Sequence, residues 1–102
     1  MSRALDALEE GDFKSHLGTS FRLHLSAAEQ LELVLAEVTA HPYLPPIPRR
    51  RRGFSLLFRS VLPGHLPQGT YRLEHEQMGG LELFLVPIGP RGGGMCYEAV
   101  FN

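Results

Sequence analysis

From residue 20 onwards, apolar side chains return at every second position in several separate runs, and this spacing limits the possible folds more than any other feature. The clearest run is 70–76, where Tyr71, Leu73 and His75 alternate with polar neighbours. A period of two places successive side chains on opposite faces of a β-strand, so each run predicts a strand with one buried face. The chain is therefore predicted to be mainly β.

About six strands are predicted in this way, at 20–26, 30–39, 54–59, 70–76, 81–86 and 95–102. The composition of 30–39 also suits a helix, and the strand interpretation rests on the short connection before it and on β-branched residues such as Val34 and Val38. Leu57 lies on the opposite phase from its apolar neighbours, which indicates a central strand covered on both faces. The fifth strand is expected to end near Pro87, and the glycine-rich segment 89–94 is expected to be a flexible hairpin loop.

Residues 1–18 are predicted to be a helical N-terminal segment. A short helix in the first ten residues is expected to end at Gly11, since glycine commonly follows the last helical residue. Asp12 is expected to cap a further turn, with Phe13 and Leu17 anchoring that turn to the sheet.

Residues 40–53 form a predicted loop rich in proline and arginine. Its four prolines exclude a regular helix and favour an extended excursion. The roughly 40 residues before it hold too few apolar positions to fold alone, so the loop is interpreted as an insertion between strands. Residues 1–102 are accordingly predicted to be a single β domain.

Six short strands joined by turns, with a helical start, describe a small antiparallel barrel or sandwich. The barrel is favoured because closure removes the exposed edges of so short a sheet. Pairing of edges between two copies of the chain is the alternative solution to the same problem.

Charge and composition limit the classes of partner. The net charge is −1, which provides no general attraction to nucleic acid or to anionic membranes. No apolar run approaches the ~20 residues of a membrane-spanning helix, and the charged start of the chain does not resemble a secretory signal. A lone Cys96 forms no internal disulfide. The expectation is a cytoplasmic protein whose partner is another protein or a second copy of itself.

No motif for catalysis, metal binding or a cofactor is found. The pairs Glu74 with Glu76 and Glu82 with Glu98 are expected to project from strands into solvent, where carboxylates are ordinarily only hydrated. The histidines lack the spacing that brings ligands to one metal: His16, His24, His41, His65 and His75. We therefore expect no metal, no cofactor and no catalytic residue, and a protein that is not an enzyme.

Two groups of residues are candidate binding sites. Arg49, Arg50, Arg51 and Arg52, with Tyr43 nearby, form a basic run suited to an acidic protein surface or to phosphates. The alternative interpretation of this basic run is a solvated loop without function. A further functional alternative is that the run binds nucleic acid weakly. If the barrel instead encloses a pocket, Tyr71, His75 and Tyr97 would line it, and the protein would be a small-ligand carrier or an enzyme.

Five stretches together resemble a small family of bacterial domains of unknown function. They are FKSHLGTSFRL at 13–23, FSLLFR at 54–59, LPQGTYRLEH at 66–75, LELFLVPIGP at 81–90 and YEAVFN at 97–102. These are strand and turn motifs to which no chemistry is assigned, so the resemblance transfers no catalytic residue. It implies at most an accessory role in a phage-tail-like particle.

Overall fold

A computed structural model describes residues 8–41, 53–61 and 66–101. They form one helix and six strands, namely α1 (Glu10–Lys14), β1 (Ser20–His24), β2 (Gln30–Ala40), β3 (Phe54–Ser60), β4 (Gly69–His75), β5 (Gly79–Arg91) and β6 (Gly94–Phe101). Neighbouring strands are antiparallel and close into a barrel in the order β1-β2-β3-β6-β5-β4. The predicted mainly β fold is confirmed, as is the preference for a barrel over a sandwich.

Closure is completed by β1, which pairs with both β2 and β4. Each described strand therefore has a hydrogen-bonded neighbour on both sides along at least part of its length. The segment 30–39 is a strand, as its β-branched residues predicted.

Aromatic and leucine side chains fill the space between the strands. Phe54 stacks on Phe101 with ring centroids 4.6 Å apart, and Phe13 packs against both rings. Phe21 meets Phe58 edge to face at 5.2 Å. Burying one such side chain stabilises the fold by roughly 1.5–3 kcal/mol. The buried cluster comprises Leu8, Phe13, Phe21, Leu23, Leu33, Leu35, Phe54, Leu56, Phe58, Leu73, Met78, Leu81, Leu83, Leu85, Tyr97, Ala99 and Phe101.

The N-terminal segment differs from its prediction. Within residues 8–18 a helix begins at Glu10 and continues through Gly11, so that glycine does not end a helix, and positions 1–7 of the predicted first helix lie outside the described residues. The side chain of Asp12 accepts a hydrogen bond from the backbone N–H of Glu9, at 2.8 Å, and so closes the helix start from three residues inside it. Phe13 anchors the helix in the core as expected, whereas Leu17 is 44% exposed.

A β-bulge in β2 shifts the side chains by one position. Leu35 pairs with Phe58 and Glu37 pairs with Leu57, so Ala36 is the extra residue. Before the bulge the odd-numbered residues face the core, and after it Val38 packs against the core instead. Glu37 therefore points to the outside of the barrel, where uninterrupted alternation would have turned it inwards.

Strand β5 runs past Pro87, contrary to the prediction, and ends only at Arg91. The pairing of β5 with β4 stops at Leu85, and beyond that residue the described neighbour of β5 is β6. The side of β5 that faced β4 is then free. A proline there removes no hydrogen bond between strands, because no strand on that side accepts one. A second bulge, at Ile88, separates the pairs formed by Pro87 and Gly89.

The predicted glycine-rich loop is much shorter than expected. Gly92 and Gly93 alone make the turn between β5 and β6, with φ of 60° and 87°. Positive φ at both positions is the requirement of a two-residue hairpin turn, which glycine meets without strain. Gly94 begins β6 against β3 so closely that a Cβ on it would overlap the carbonyl oxygen of Ser60.

Candidate functional site

The arginine run and Tyr43, the first predicted binding group, lie outside the described residues. The residues on either side of this segment are held together, because the backbone N–H of His41 donates to the carbonyl of Gly53 at 2.8 Å. A second hydrogen bond, 2.6 Å long, joins His41 Nε2 to the hydroxyl of Ser55. The two residues that flank positions 42–52 are therefore held together where β2 ends and β3 begins.

Two residues of the predicted interior pocket, Tyr71 and Tyr97, lie close together at one end of the barrel. The Tyr97 hydroxyl accepts a hydrogen bond from the backbone N–H of Leu66 at 2.9 Å, and the Tyr71 hydroxyl donates to the carbonyl of Pro67 at 2.6 Å. Both phenols thus hold the chain entering β4 across the barrel end. Their hydroxyls are used in this structural contact.

His75, the third residue of that group, lies at the opposite end of β4. It is four residues from Tyr71 along the strand, a separation of about 13 Å. Its ring contacts His16 and Phe21, each with a centroid separation of 4.5 Å. The structure therefore divides the predicted trio into two places, and a ligand contacting all three stays a prediction.

The hydrogen bonds of His75 define its tautomer. Nδ1 lies 3.0 Å from the backbone N–H of Gln77 and 3.2 Å from that of Met78, so Nδ1 accepts and carries no proton. Nε2 therefore carries the proton and donates to the Thr19 hydroxyl at 2.9 Å, and that hydroxyl donates onward to the carbonyl of His16. Both ring nitrogens are thus occupied, and the ring is neutral.

Burial lowers the pKa of His75 below its ordinary value of 6.5, and the nearby His16 lowers that pKa further. Glu76 opposes this shift and Arg22 adds to it. A proton added at Nδ1 would face the two backbone N–H donors, which is a second reason for the neutral form. The geometry makes His75 a cap for the turn between β4 and β5.

A cleft of about 210 Å³ lies on the outer wall of the barrel over β3. We call it the β3 cleft, and it is lined by Glu37, Thr39, Ser55, Leu56, Leu57, Ile88, Arg91 and Glu98. Leu57 forms part of its floor and is only 8% exposed although its side chain lies on the outer phase of the strand. The predicted covering of β3 on both faces is found at this residue.

The two bulges supply opposite walls of the β3 cleft. The bulge in β2 turns Glu37 and Thr39 outwards on one side, and the bulge in β5 supplies Ile88 on the other. Bulges are over-represented beside functional sites because they re-aim side chains without disturbing the rest of a sheet. The cleft is therefore built by the two irregularities of an otherwise regular barrel.

Strand register sets the two carboxylates of the cleft at one level. Leu57 pairs with Glu37 on β2 and with Glu98 on β6, which places the two glutamate Cα atoms about 10 Å apart across β3. Glu98 is on the outer face, as predicted. Its partner across the cleft is Glu37, whereas the sequence paired it with Glu82.

Charged groups elsewhere on the outer wall neutralise each other. His24 Nε2 donates to Glu74 at 2.5 Å, and Arg72 lies 3.9 Å from the same carboxylate. The hydrogen bond from His24 is the main cause of a lowered pKa of Glu74. The remaining ion pair among the described residues joins Lys14 to Glu10. The charged side chains of the β3 cleft therefore form no ion pair with any described residue.

Two half-exposed apolar side chains lie beside the cleft. Val86 pairs with Glu98 of the cleft, and Phe84 and Val100, which we call the Phe84–Val100 pair, each lie two residues beyond those positions on the outer phase of their strands. Phe84 is 52% exposed and Val100 is 53% exposed. Val100 also pairs with Ser55 of the cleft, so Val100 lies directly beside the cleft lining and Phe84 lies two residues from Val86, the β5 partner of Glu98.

The described residues contain no group of three or more histidine, cysteine or acidic side chains able to hold a metal ion. The helix of the described part is far too short to cross a membrane.

Sequence reasoning missed Glu37 and Arg91 as site residues. The sequence contained one indication of Glu37. The leucines of β2 occupy odd-numbered positions up to Leu35, whereas Val38 occupies an even-numbered position, and this change in the alternation indicates the bulge that exposes Glu37.

Comparison with known families gives a match over most of the chain. A family model described as a domain of unknown function (DUF6916) matches residues 8–101. No curated protein and no solved structure matches the chain.

Proposed function

The chain belongs to this family of domains of unknown function, and we propose that it is a non-enzymatic binding or assembly module whose partner is another protein. The observation that carries the proposal is the presence of two half-exposed apolar side chains, Phe84 and Val100, on the outer wall beside the β3 cleft. Partly exposed apolar side chains beside unneutralised charges are the usual composition of a surface that receives a protein.

The distribution of side chains supports a partner on the outside of the barrel. The interior is occupied by the buried aromatic and leucine cluster, and the polar atoms of Tyr71, His75 and Tyr97 already have hydrogen-bond partners. Arg49–Arg52 belong to the segment whose flanking residues, His41 and Gly53, are hydrogen-bonded to each other between the end of β2 and the start of β3. We propose that this basic run is a second contact for the same partner, in the cytoplasm.

The resemblance noted in the sequence directs the choice of partner. We propose an accessory role in assembling a phage-tail-like particle, so its structural proteins are the first candidates for the outer surface. Truncating a side chain at the centre of such an interface costs about 2 kcal/mol or more when that side chain is a binding hot spot.

The test compares two serine variants of matched exposure. Phe84→Ser with Val100→Ser removes the outer pair, and the control is Leu17→Ser with Leu25→Ser, whose leucines are each 44% exposed elsewhere on the molecule. Tagged protein is captured from its native cells at low salt, and co-purifying proteins are quantified by mass spectrometry. We expect the first variant to lose a stoichiometric partner by about tenfold or more while the control retains it.

A stoichiometric partner retained equally by both variants would refute the outer surface as its binding site. A third variant, with serine at all four positions 49–52, tests the basic run separately. If it releases nucleic acid and no protein, the basic run binds nucleic acid and the proposed second contact is wrong.

A further inference from the structure

The β3 cleft has the size and charge of a receptor for one basic side chain. We infer that it binds a lysine or arginine side chain of the partner protein, with the aliphatic part on Leu57 and Ile88 and the cationic end between Glu37 and Glu98. This inference rests on the proposed function and identifies which chemistry the partner presents.

Size is the first reason. A volume of about 210 Å³ lies below the ~300–1,000 Å³ of ordinary small-ligand pockets and is that of a site for a single long side chain. Leu57 and Ile88 offer apolar surface within the cleft, and lysine and arginine place their methylene stems on such surface while the charged end stays in a polar environment.

Charge is the second reason. Glu37 and Glu98 flank Leu57 from opposite sides about 10 Å apart, so one cation placed over Leu57 is within reach of both carboxylates. Neither carboxylate has an ion-pair partner among the described residues, unlike Glu74 on the other wall. The hydroxyls of Thr39 and Ser55, two residues along the strands, are further acceptors for the N–H groups of the cation.

Arg91 gives the cleft a direction. It pairs with Gly94, four residues before Glu98 on β6, so its backbone lies about 13 Å along the sheet from the level of the carboxylates. The hydroxyl groups of Thr39 and Ser55 lie on the other side of that level. A cation is therefore favoured at the carboxylate and hydroxyl end, and a neighbouring acidic group of the partner is favoured at the hairpin end.

The test uses a probe of defined chemistry on the whole protein. Nα-acetyl-lysine amide is titrated against ¹⁵N-labelled protein, with the norleucine analogue as the control that lacks the ammonium group. We expect the lysine probe to shift the amide resonances of Leu57, Ile88 and Glu98, and the norleucine probe to shift them much less. The variant Glu37→Gln with Glu98→Gln is expected to weaken binding of the lysine probe about three- to tenfold.

A charge-matched control separates the site from general attraction. Glu29→Gln with Glu82→Gln removes the same charge from exposed positions outside the cleft lining and is expected to leave the affinity unchanged. Equal binding of lysine and norleucine probes, equal weakening by both double variants, or no shift at the cleft would each overturn the inference. Preferential binding of Nα-acetyl-glutamate amide would overturn it in favour of an acidic ligand at Arg91.

The same variants distinguish the inference from the function on which it rests. A partner lost by the Phe84 and Val100 variant but retained by the Glu37 and Glu98 variant would refute the basic side chain and leave the binding module standing. A partner retained by both would refute the outer surface as well.

Discussion

His75 caps the turn after β4 through hydrogen bonds at both of its ring nitrogens. Replacing His75 by Asn in one variant and by Gln in another tests the hydrogen bonds of the two nitrogens separately. The Asn oxygen is as many bonds from Cα as His75 Nδ1, so His75→Asn can still accept from the backbone N–H groups of Gln77 and Met78. The Gln amide nitrogen corresponds to Nε2, so His75→Gln keeps the contact with Thr19 and leaves those two N–H groups without an acceptor.

The magnitudes follow from this difference. His75→Asn loses one hydrogen bond, worth about 1 kcal/mol, together with ring packing against Phe21. His75→Gln loses the same packing and leaves two donors unpaired, and an unpaired buried donor costs about 1–3 kcal/mol. Met78 N–H is the more buried of the two and carries most of the penalty. After the roughly 1 kcal/mol lost by His75→Asn is subtracted, we expect His75→Asn to be more stable than His75→Gln by up to about 2 kcal/mol.

The assay is urea and thermal unfolding at pH 7.5, followed by circular dichroism. For a domain of this size each 1 kcal/mol corresponds to roughly 4–8 °C in Tm. His75→Phe keeps an aromatic ring and removes both kinds of bond, so it should be no more stable than His75→Gln if the hydrogen bonds dominate. A Gln variant as stable as the Asn variant would refute the assignment of Nδ1 as the acceptor.

The pH dependence tests the neutral ring. Because the pKa of His75 is lowered in the folded protein, the unfolded chain takes up a proton first as the pH falls. The contribution of His75 to stability is therefore complete above pH 6.5 and is lost as the pH falls from 6.5 towards the lowered pKa. The stability difference between the natural chain and His75→Asn should shrink over that range, and a difference that grows with acid would contradict the neutral tautomer.

Two further predictions concern backbone space and thiol access. Gly94→Ala should destabilise the domain by several kcal/mol or prevent folding, because the new Cβ would overlap Ser60. Gly11→Ala lies in open space within α1 and should stabilise the domain by about 0.5–1 kcal/mol. Urea midpoints of the two variants that move in the same direction would contradict this pair of predictions. Cys96 is 1% exposed, so its reaction with a thiol reagent should require unfolding, and its rate should rise with urea in parallel with the loss of circular dichroism. Rapid labelling in the absence of urea would show that β6 is not packed as described.

The strands were predictable from sequence because each run carries its own alternation. Tyr71, Leu73 and the residues between them specify a half-buried strand without any knowledge of their neighbours. Closure was predictable from the number and shortness of the strands. The N-terminal error has a local cause, since a glycine is an ordinary helix end and the capping of Glu9 by Asp12 outweighed that preference here.

The site was less predictable because it depends on register. Glu98 was placed on the outer face correctly, but its meeting with Glu37 requires the pairing of Leu57 with both neighbours and the bulge at Ala36. A shift of one residue reverses every side chain of a strand, and alternation alone does not fix the pairing partner. Pro87 was misleading for the same reason, because its tolerance depends on which side of β5 has no neighbour.

The hydrogen bond between His41 and Gly53 holds together the two ends of the connection that joins β2 to β3. Because both attachment points lie next to the ends of neighbouring strands, the entropic cost of a longer connection rises only by about 0.6 kcal/mol for each doubling of its length. Gly53 is part of this arrangement, because a Cβ there would approach His41 Nδ1 to 2.8 Å. The position is thus suited to grafting: a foreign recognition peptide inserted between these two residues would be displayed on a scaffold whose strands keep their own pairing.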